Sequence, residues 1–281
     1  MGGTIHAYFD CVSPYSYFAF LHLRKHRAVL ATHGVKIEIH PVFLGGINVG
    51  SGNTPPWKLP AKARYSEYDR KNAVRYFGLP EFTAPSFFPI LSLLPQRAIT
   101  YIKAHYPASK FEETFLLLWQ WLFYRHEDIS QPAVLTRLLT EDAGFTAHEA
   151  ETIIAATGEQ KWKDALLART KEALDRGAFG APWFWVVREG PDGKEEETSM
   201  FFGSDRFVAI IQYRYNNMYD HSDRQCLFPN RFHYIWTFLN LPFDDIKIHP
   251  GPLKANELID SSNNDNKSKD DMTESKAKAK L

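Results

Sequence analysis

Ser13 is the hydroxyl on which chemistry can first be read in this chain. It lies in Cys11-Val12-Ser13-Pro14-Tyr15-Ser16-Tyr17, between the β-branched and aromatic run Thr4 to Asp10 and an apolar-periodic run from Tyr17 to Leu30. The first run reads as a buried strand and the second as a helix, so a strand turns directly into a helix at Ser13. Ser13 takes the N-cap position and Pro14 the first helical position, where a missing N–H costs nothing. A hydroxyl there stands among orphan N–H groups at the positive end of the helix dipole, a setting that favours an anion. For a bound thiol, that setting favours the thiolate. A free cysteine thiol titrates near about pH 8.5, and making it tenfold more acidic takes about 1.4 kcal/mol. A helix N-terminus supplies roughly 0.3 to 1 kcal/mol and a charge-assisted hydrogen bond roughly 1.5 to 3, enough to lower a thiol pKa by roughly one to two without a protein base.

Most Ser-Pro pairs only start helices, and three further stretches decide against that here: Ser51-Gly52-Asn53-Thr54-Pro55-Pro56, Gly177-Ala178-Phe179-Gly180-Ala181-Pro182 and Phe202-Gly203-Ser204-Asp205-Arg206. With Ser13-Pro14-Tyr15-Ser16 they stand in the order and spacing of the kappa-class glutathione S-transferases, which the chain resembles from about Ile5 to about Tyr213. The resemblance implies an α/β fold, a thioredoxin-like domain interrupted by an all-helical, DsbA-like insertion. It also implies glutathione as co-substrate, no metal, a homodimer, and conjugation of the glutathione thiolate to small electrophiles.

Ser13 matches the first serine of the family motif, where redox cousins carry the nucleophilic cysteine, and Ser16 matches the second. A hydroxyl donates to a thiolate but forms no mixed disulfide, which favours transfer or isomerisation over thiol–disulfide exchange. The resemblance implies a cis Ala181-Pro182 bond and main-chain pairing of Ala181 with the cysteinyl unit as an added strand; Ala181 replaces a bulkier residue common in the family. Asn53 and Lys62 match positions that reach the glycyl end. Ser204 suits the glutamyl carboxylate and Asp205 its ammonium, with Arg206 in the same motif, although Ser204 and Asp205 alone would read as plain N-capping. Rival readings are a glutathione-dependent 2-hydroxychromene-2-carboxylate isomerase, which shares the serine, and a non-catalytic glutathione-binding or interaction protein. A disulfide oxidoreductase is more distant and would need Cys11 to cycle.

The elements that must hold these residues follow from the remaining pattern. The 281 residues carry 44% hydrophobic and 15% aromatic side chains with a formal net charge of +0, which suits a globular protein and gives no overall pull toward nucleic acid. Cys11 and Cys226 form no C-x-x-C, so neither a redox dithiol nor a zinc knuckle is written, and a reducing compartment is the natural home. Met1 to Phe9 lacks a signal peptide's regions, and no apolar run approaches the ~18 residues of a membrane span.

Residues 1–60 and 177–215 are expected to form the two parts of the thioredoxin-like domain, around a helical insertion at 61–176. Val35 to Leu44 reads as a second strand, parallel to the first because a helix crosses between them. Gly45, Gly46, Gly50 and Gly52 with Pro55 and Pro56 predict a long irregular binding loop. The insertion shows capping boxes at Ser109/Glu112 and Thr146/Glu149, helix stops at Gly144, Gly158 and Gly177, and a helix from Phe111 to Phe123 that is apolar nearly all round. Pro182 to Val187 and Thr198 to Phe202 read as a hairpin joined at Gly190-Pro191-Asp192-Gly193, with Pro182 at an edge or a special turn, and Ser204 capping a last helix to about Tyr213. His22 and His26, one turn apart beside Arg24, Lys25 and Arg27, read as a solvated face, Trp57 as a wall for an electrophile, and Cys11 as a small buried filler. Residues 216–254 read as an extension packing on the domain, and 255–281, without aromatics, as a disordered tail. Ala279-Lys280-Leu281 resembles the peroxisomal address S-K-L, predicting an import receptor as partner and a peroxisomal location, with cytoplasm or mitochondrion as the alternatives.

Overall fold

Strand β1 (Gly2–Phe9) organises the fold, and its alternation explains why: Ile5, Ala7 and Phe9 are fully buried on one face, while His6 and Tyr8 point to the other. The computed structural model describes residues 2–190, 192–203, 235 and 238–241, all within one compact unit that extends to Leu241. Ser204, Asp205, Arg206, Cys226, the expected last helix, most of the extension and Ala279 to Leu281 lie outside the described residues.

Helix α1 (Pro14–Thr32) follows β1 and returns the chain to β2 (Val35–Pro41), which pairs parallel to β1 with Ile5 opposite Ile37. Strands β3 (Trp183–Glu189) and β4 (Glu195–Phe202) form the expected hairpin, and β3 pairs antiparallel to β1, giving the sheet order β2-β1-β3-β4. Pro182 therefore precedes an interior strand rather than marking an edge; its peptide bond to Ala181 is cis, and the ring ends before the β3 ladder begins.

Between β2 and β3 the described regular elements are helical: α2 (Leu44–Ser51), a short 3₁₀ turn (Pro56–Lys58), α3 (Pro60–Tyr76), α4 (Leu93–His105), α5 (Ala108–Phe123), α6 (Pro132–Glu141), α7 (Ala147–Ala156) and α8 (Gln160–Asp175). The glycine-rich stretch expected to be a loop is thus helix α2 up to Ser51. Its glycines serve close approach instead: a Cβ on Gly50 would stand 2.5 Å from Leu174 Cδ1 of α8, and Gly52, at φ 72°, closes the helix. Thr146 and Glu149 form a reciprocal capping box. Ser109 and Glu112 do not, because α5 begins after Pro107 and the Glu112 carboxylate pairs with Arg27 at 2.6 Å.

Helix α5 carries the main core. Phe115, Trp119, Trp121 and Leu122 are fully buried, and Trp119 meets Phe9, Tyr17 and Phe20 of β1 and α1. Large buried side chains at about 1.5–3 kcal/mol each outweigh the weak helix propensity of aromatic residues. His22 departs from the solvated face expected of it, being buried against Phe77, while His26 is half-buried with its ring 4.4 Å from that of His22.

Candidate functional site

The junction of β1 and α1 opens on a cleft of about 600 Å³ lined by Ser13, Asn53, Trp57, Lys62, Asp69 and Ala181 among others. Ser13 caps α1 as its residue type predicts: the hydroxyl oxygen accepts the Ser16 N–H at 3.1 Å. The same hydroxyl donates to the Ala181 carbonyl at 3.0 Å, across 168 residues of sequence. The Ser13 carbonyl in turn accepts the Trp119 indole N–H at 3.1 Å, so α5 fixes the cap from below. The bond between Ala181 and Pro182 is cis, and the Ala181 carbonyl faces the α1 terminus.

Of the residues singled out by sequence, Ser13, Asn53, Lys62, Ala181 and Pro182 all line this one cleft. Asn53 follows the αL cap of α2, and its side-chain amide donates to the Phe179 carbonyl at 2.6 Å, bridging the two sides of the cleft. Lys62 projects from the first turn of α3. Ser16 is different: it is fully buried, contributes only its N–H to Ser13, and is not part of the lining. Trp57 is 43% exposed at the mouth, its ring edge-on to Phe88 at 5.7 Å, and Phe88 lies 6.0 Å from Phe123 of α5. This makes one wall aromatic.

One group of the cleft was not singled out by the sequence. Asp69 is buried in the cleft and accepts from Tyr15 Oη at 3.0 Å and Tyr65 Oη at 3.4 Å. Spacing of Tyr65 and Asp69 by four residues on α3 is the one clue that the sequence offered. Cys11 is fully buried, and burial together with the neighbouring Asp10 carboxylate pushes its thiol well up, the opposite of a reactive cysteine. Among the described residues no group of three or more His, Cys, Asp or Glu is placed to hold a metal.

Residues 4–213 match the family of DSBA-like thioredoxin domains. The glutathione S-transferase kappa 1 of Homo sapiens is 30% identical over 211 residues, covering 74% of this chain and 88% of that protein. The glutathione S-transferase kappa 1 of Caenorhabditis elegans is 31% identical over 210 residues, 72% of this chain and 87% of that protein. Among solved structures, a 2-hydroxychromene-2-carboxylate isomerase superposes with a TM-score of 0.56 at 19% identity, covering 71% of this chain and 88% of that one, a likeness of fold.

Proposed function

The chain belongs to the DSBA-like thioredoxin domain family, in its glutathione S-transferase kappa branch, and on that premise we propose that Ser13 stabilises the thiolate of bound glutathione for conjugation to small electrophiles. It is a glutathione S-transferase-like enzyme, and its function is glutathione-related. The observation that carries the finer reading is the pair formed by the Ser13 hydroxyl and the Ala181 carbonyl at 3.0 Å beside the cis proline.

That carbonyl is the acceptor an extended tripeptide needs for its cysteinyl N–H. When the peptide N–H takes the carbonyl, the Ser13 hydroxyl is released to donate to sulfur. The Ser16 N–H still points at the hydroxyl oxygen and polarises it, so the donors run in series from the helix terminus to the thiolate. The thiol proton leaves to solvent, the thiolate forms a C–S bond with the electrophile, and the displaced group departs with its electron pair. Trp57, Phe88 and Phe123 offer apolar surface for the electrophile, Asn53 and Lys62 polar groups for the glycyl end.

Two measurements test this. Calorimetry is expected to show glutathione binding, and mass spectrometry a glutathione conjugate formed from a soluble electrophile faster than the uncatalysed rate. Absence of binding would sink the proposal, as would binding accompanied only by isomerisation of a 2-hydroxychromene-2-carboxylate.

A further inference from the structure

Asp10 directly follows β1, three residues before Ser13, and is fully buried, with no salt-bridge partner among the described residues. Its Oδ1 accepts the Val12 N–H at 3.0 Å, and its Oδ2 accepts the Leu44 N–H and the Ser92 hydroxyl at 2.7 Å each. The Asp10 backbone carbonyl also accepts the Ser13 N–H at 3.0 Å. One residue therefore fixes the turn that ends in Ser13 and also the first turn of α2. Val12, Ser13 and Leu44 all line the cleft.

Ser92 shows how far the surroundings are bent to this end. It occupies the N-cap of α4, yet its hydroxyl makes no capping bond and goes to Asp10 instead, so the helix forgoes a stabilisation that serine caps ordinarily give. Burying a carboxylate without a counter-ion is costly, and the three donors to Asp10 offset that cost while tying the Val12 turn to the start of α2 and to Ser92.

We infer that Asp10 is a positioning residue for the reaction: its ionised carboxylate holds the Val12–Ser13 turn against α2, so that the Ser13 hydroxyl stands where the thiol of bound glutathione arrives. This rests on the role proposed above for Ser13. Burial pushes the Asp10 carboxyl up to about 6, against the opposing pull of the Val12, Leu44 and Ser92 donors. The Cys11 thiol is the titratable group beside it and stays protonated in this range, while α2 and α4 present only the Leu44 N–H and the Ser92 hydroxyl. Protonation of Asp10 turns charge-assisted bonds into neutral ones, roughly half as strong, and loosens the turn.

The test is the pH dependence of kcat/KM for glutathione, which reports groups of the free enzyme and free substrate. Free glutathione thiol ionisation gives log kcat/KM a slope of one below its pKa. Asp10 adds a second proton, so the wild type is expected to steepen toward a slope of two near pH 6. Ser92→Ala removes a donor to the carboxylate and should move the break to higher pH, and Asp10→Asn should keep a slope of one throughout with kcat reduced about 10-fold or more. A break unmoved in Ser92→Ala, or a wild-type slope of one down to pH 5, overturns the inference. The backbone amides of Val12, Ser13 and Leu44 in the unliganded enzyme should titrate by NMR with one common midpoint, raised in Ser92→Ala, and independent midpoints overturn it too. This arm needs neither glutathione nor folding of Asp10→Asn, so failure of the glutathione reading and failure of the Asp10 role remain distinguishable.

Discussion

At the scale of single residues, Ser13 and Ser16 have the same chemistry and different surroundings. Ser13 lines the cleft and presents a hydroxyl; Ser16 is buried behind it and presents only an N–H. Ser13→Ala removes a charge-assisted donor of roughly 1.5 to 3 kcal/mol, so turnover should fall about 10-fold or more and the apparent thiol pKa of bound glutathione should rise. Ser16→Ala keeps the backbone donor and should change either quantity much less. Equal effects of the two substitutions, read from thiolate absorbance and initial rates, would remove the distinction. Ser13 was legible from sequence because an N-cap serine before proline has a fixed position in a helix. Asp10 and Asp69 were not, since each draws its meaning from partners far along the chain: Leu44 and Ser92 for Asp10, Tyr15 for Asp69.

At the scale of elements, local rules located the strand–helix junction, the hairpin and the capping box at Thr146, because each depends on residues a few positions apart. Helix α2 escaped them because a stretch with three glycines has little helix propensity of its own and is held by its fit against α8, a tertiary effect. Four elements also build a polar cluster on the second face of the sheet. His6 of β1 and His40 of β2 approach at 3.1 Å, Lys103 of α4 stands 3.5 Å from His40 Nδ1, and Glu172 of α8 accepts from Tyr8 at 2.8 Å while pairing with Arg169 and Arg176. Burial first, then Lys103, Arg169, His6 and Arg176, hold His40 far below its ordinary pKa; burial first, then Arg176, lowers His6. An ammonium facing Nδ1 makes that nitrogen an acceptor, which puts the His40 proton on Nε2 toward His6. Both folded-state values lie below the unfolded value of about 6.5, so the pair's contribution to stability is complete above pH about 6.5 and is lost as pH falls below it, by up to about 1.4 kcal/mol per pH unit for each imidazole kept neutral. Asp10, with its raised value, acts in the opposite direction over part of this range, and comparison with His40→Gln cancels it. The difference in unfolding free energy between wild type and His40→Gln should therefore shrink from pH 7.5 to pH 5; a difference independent of pH contradicts a neutral buried His40.

At the scale of the whole molecule, the described residues beyond the matched domain, 235 and 238–241, are tied back into the sheet. The DSBA-like match spans residues 4–213, yet Ile235 and Leu239 are buried at 0% and 3% exposure and belong to the main hydrophobic core. Leu239 packs on Gly3 so closely that a Cβ there would lie 2.8 Å from Leu239 Cδ2 and 2.4 Å from the Val187 carbonyl oxygen, which explains a glycine at this point of an interior strand. Arg188 of β3 donates to the Phe238 carbonyl at 3.2 Å, and Phe201 of β4 meets Phe238 at 6.2 Å, so β1, β3 and β4 all hold this segment. The sequence revealed its aromatic and leucine content but not where it packs, because the contact joins residues more than 230 positions apart. Truncating a fully packed leucine removes its transfer energy and leaves a cavity, at a cost of about 2–5 kcal/mol. Leu239→Ala should therefore lower the unfolding free energy by that amount in urea titration. Because Leu239 lies outside the cleft lining, the glutathione affinity of the folded variant should remain that of the wild type. A loss below about 0.5 kcal/mol, the range of substitutions at exposed positions, would mean that this segment does not share the core in solution.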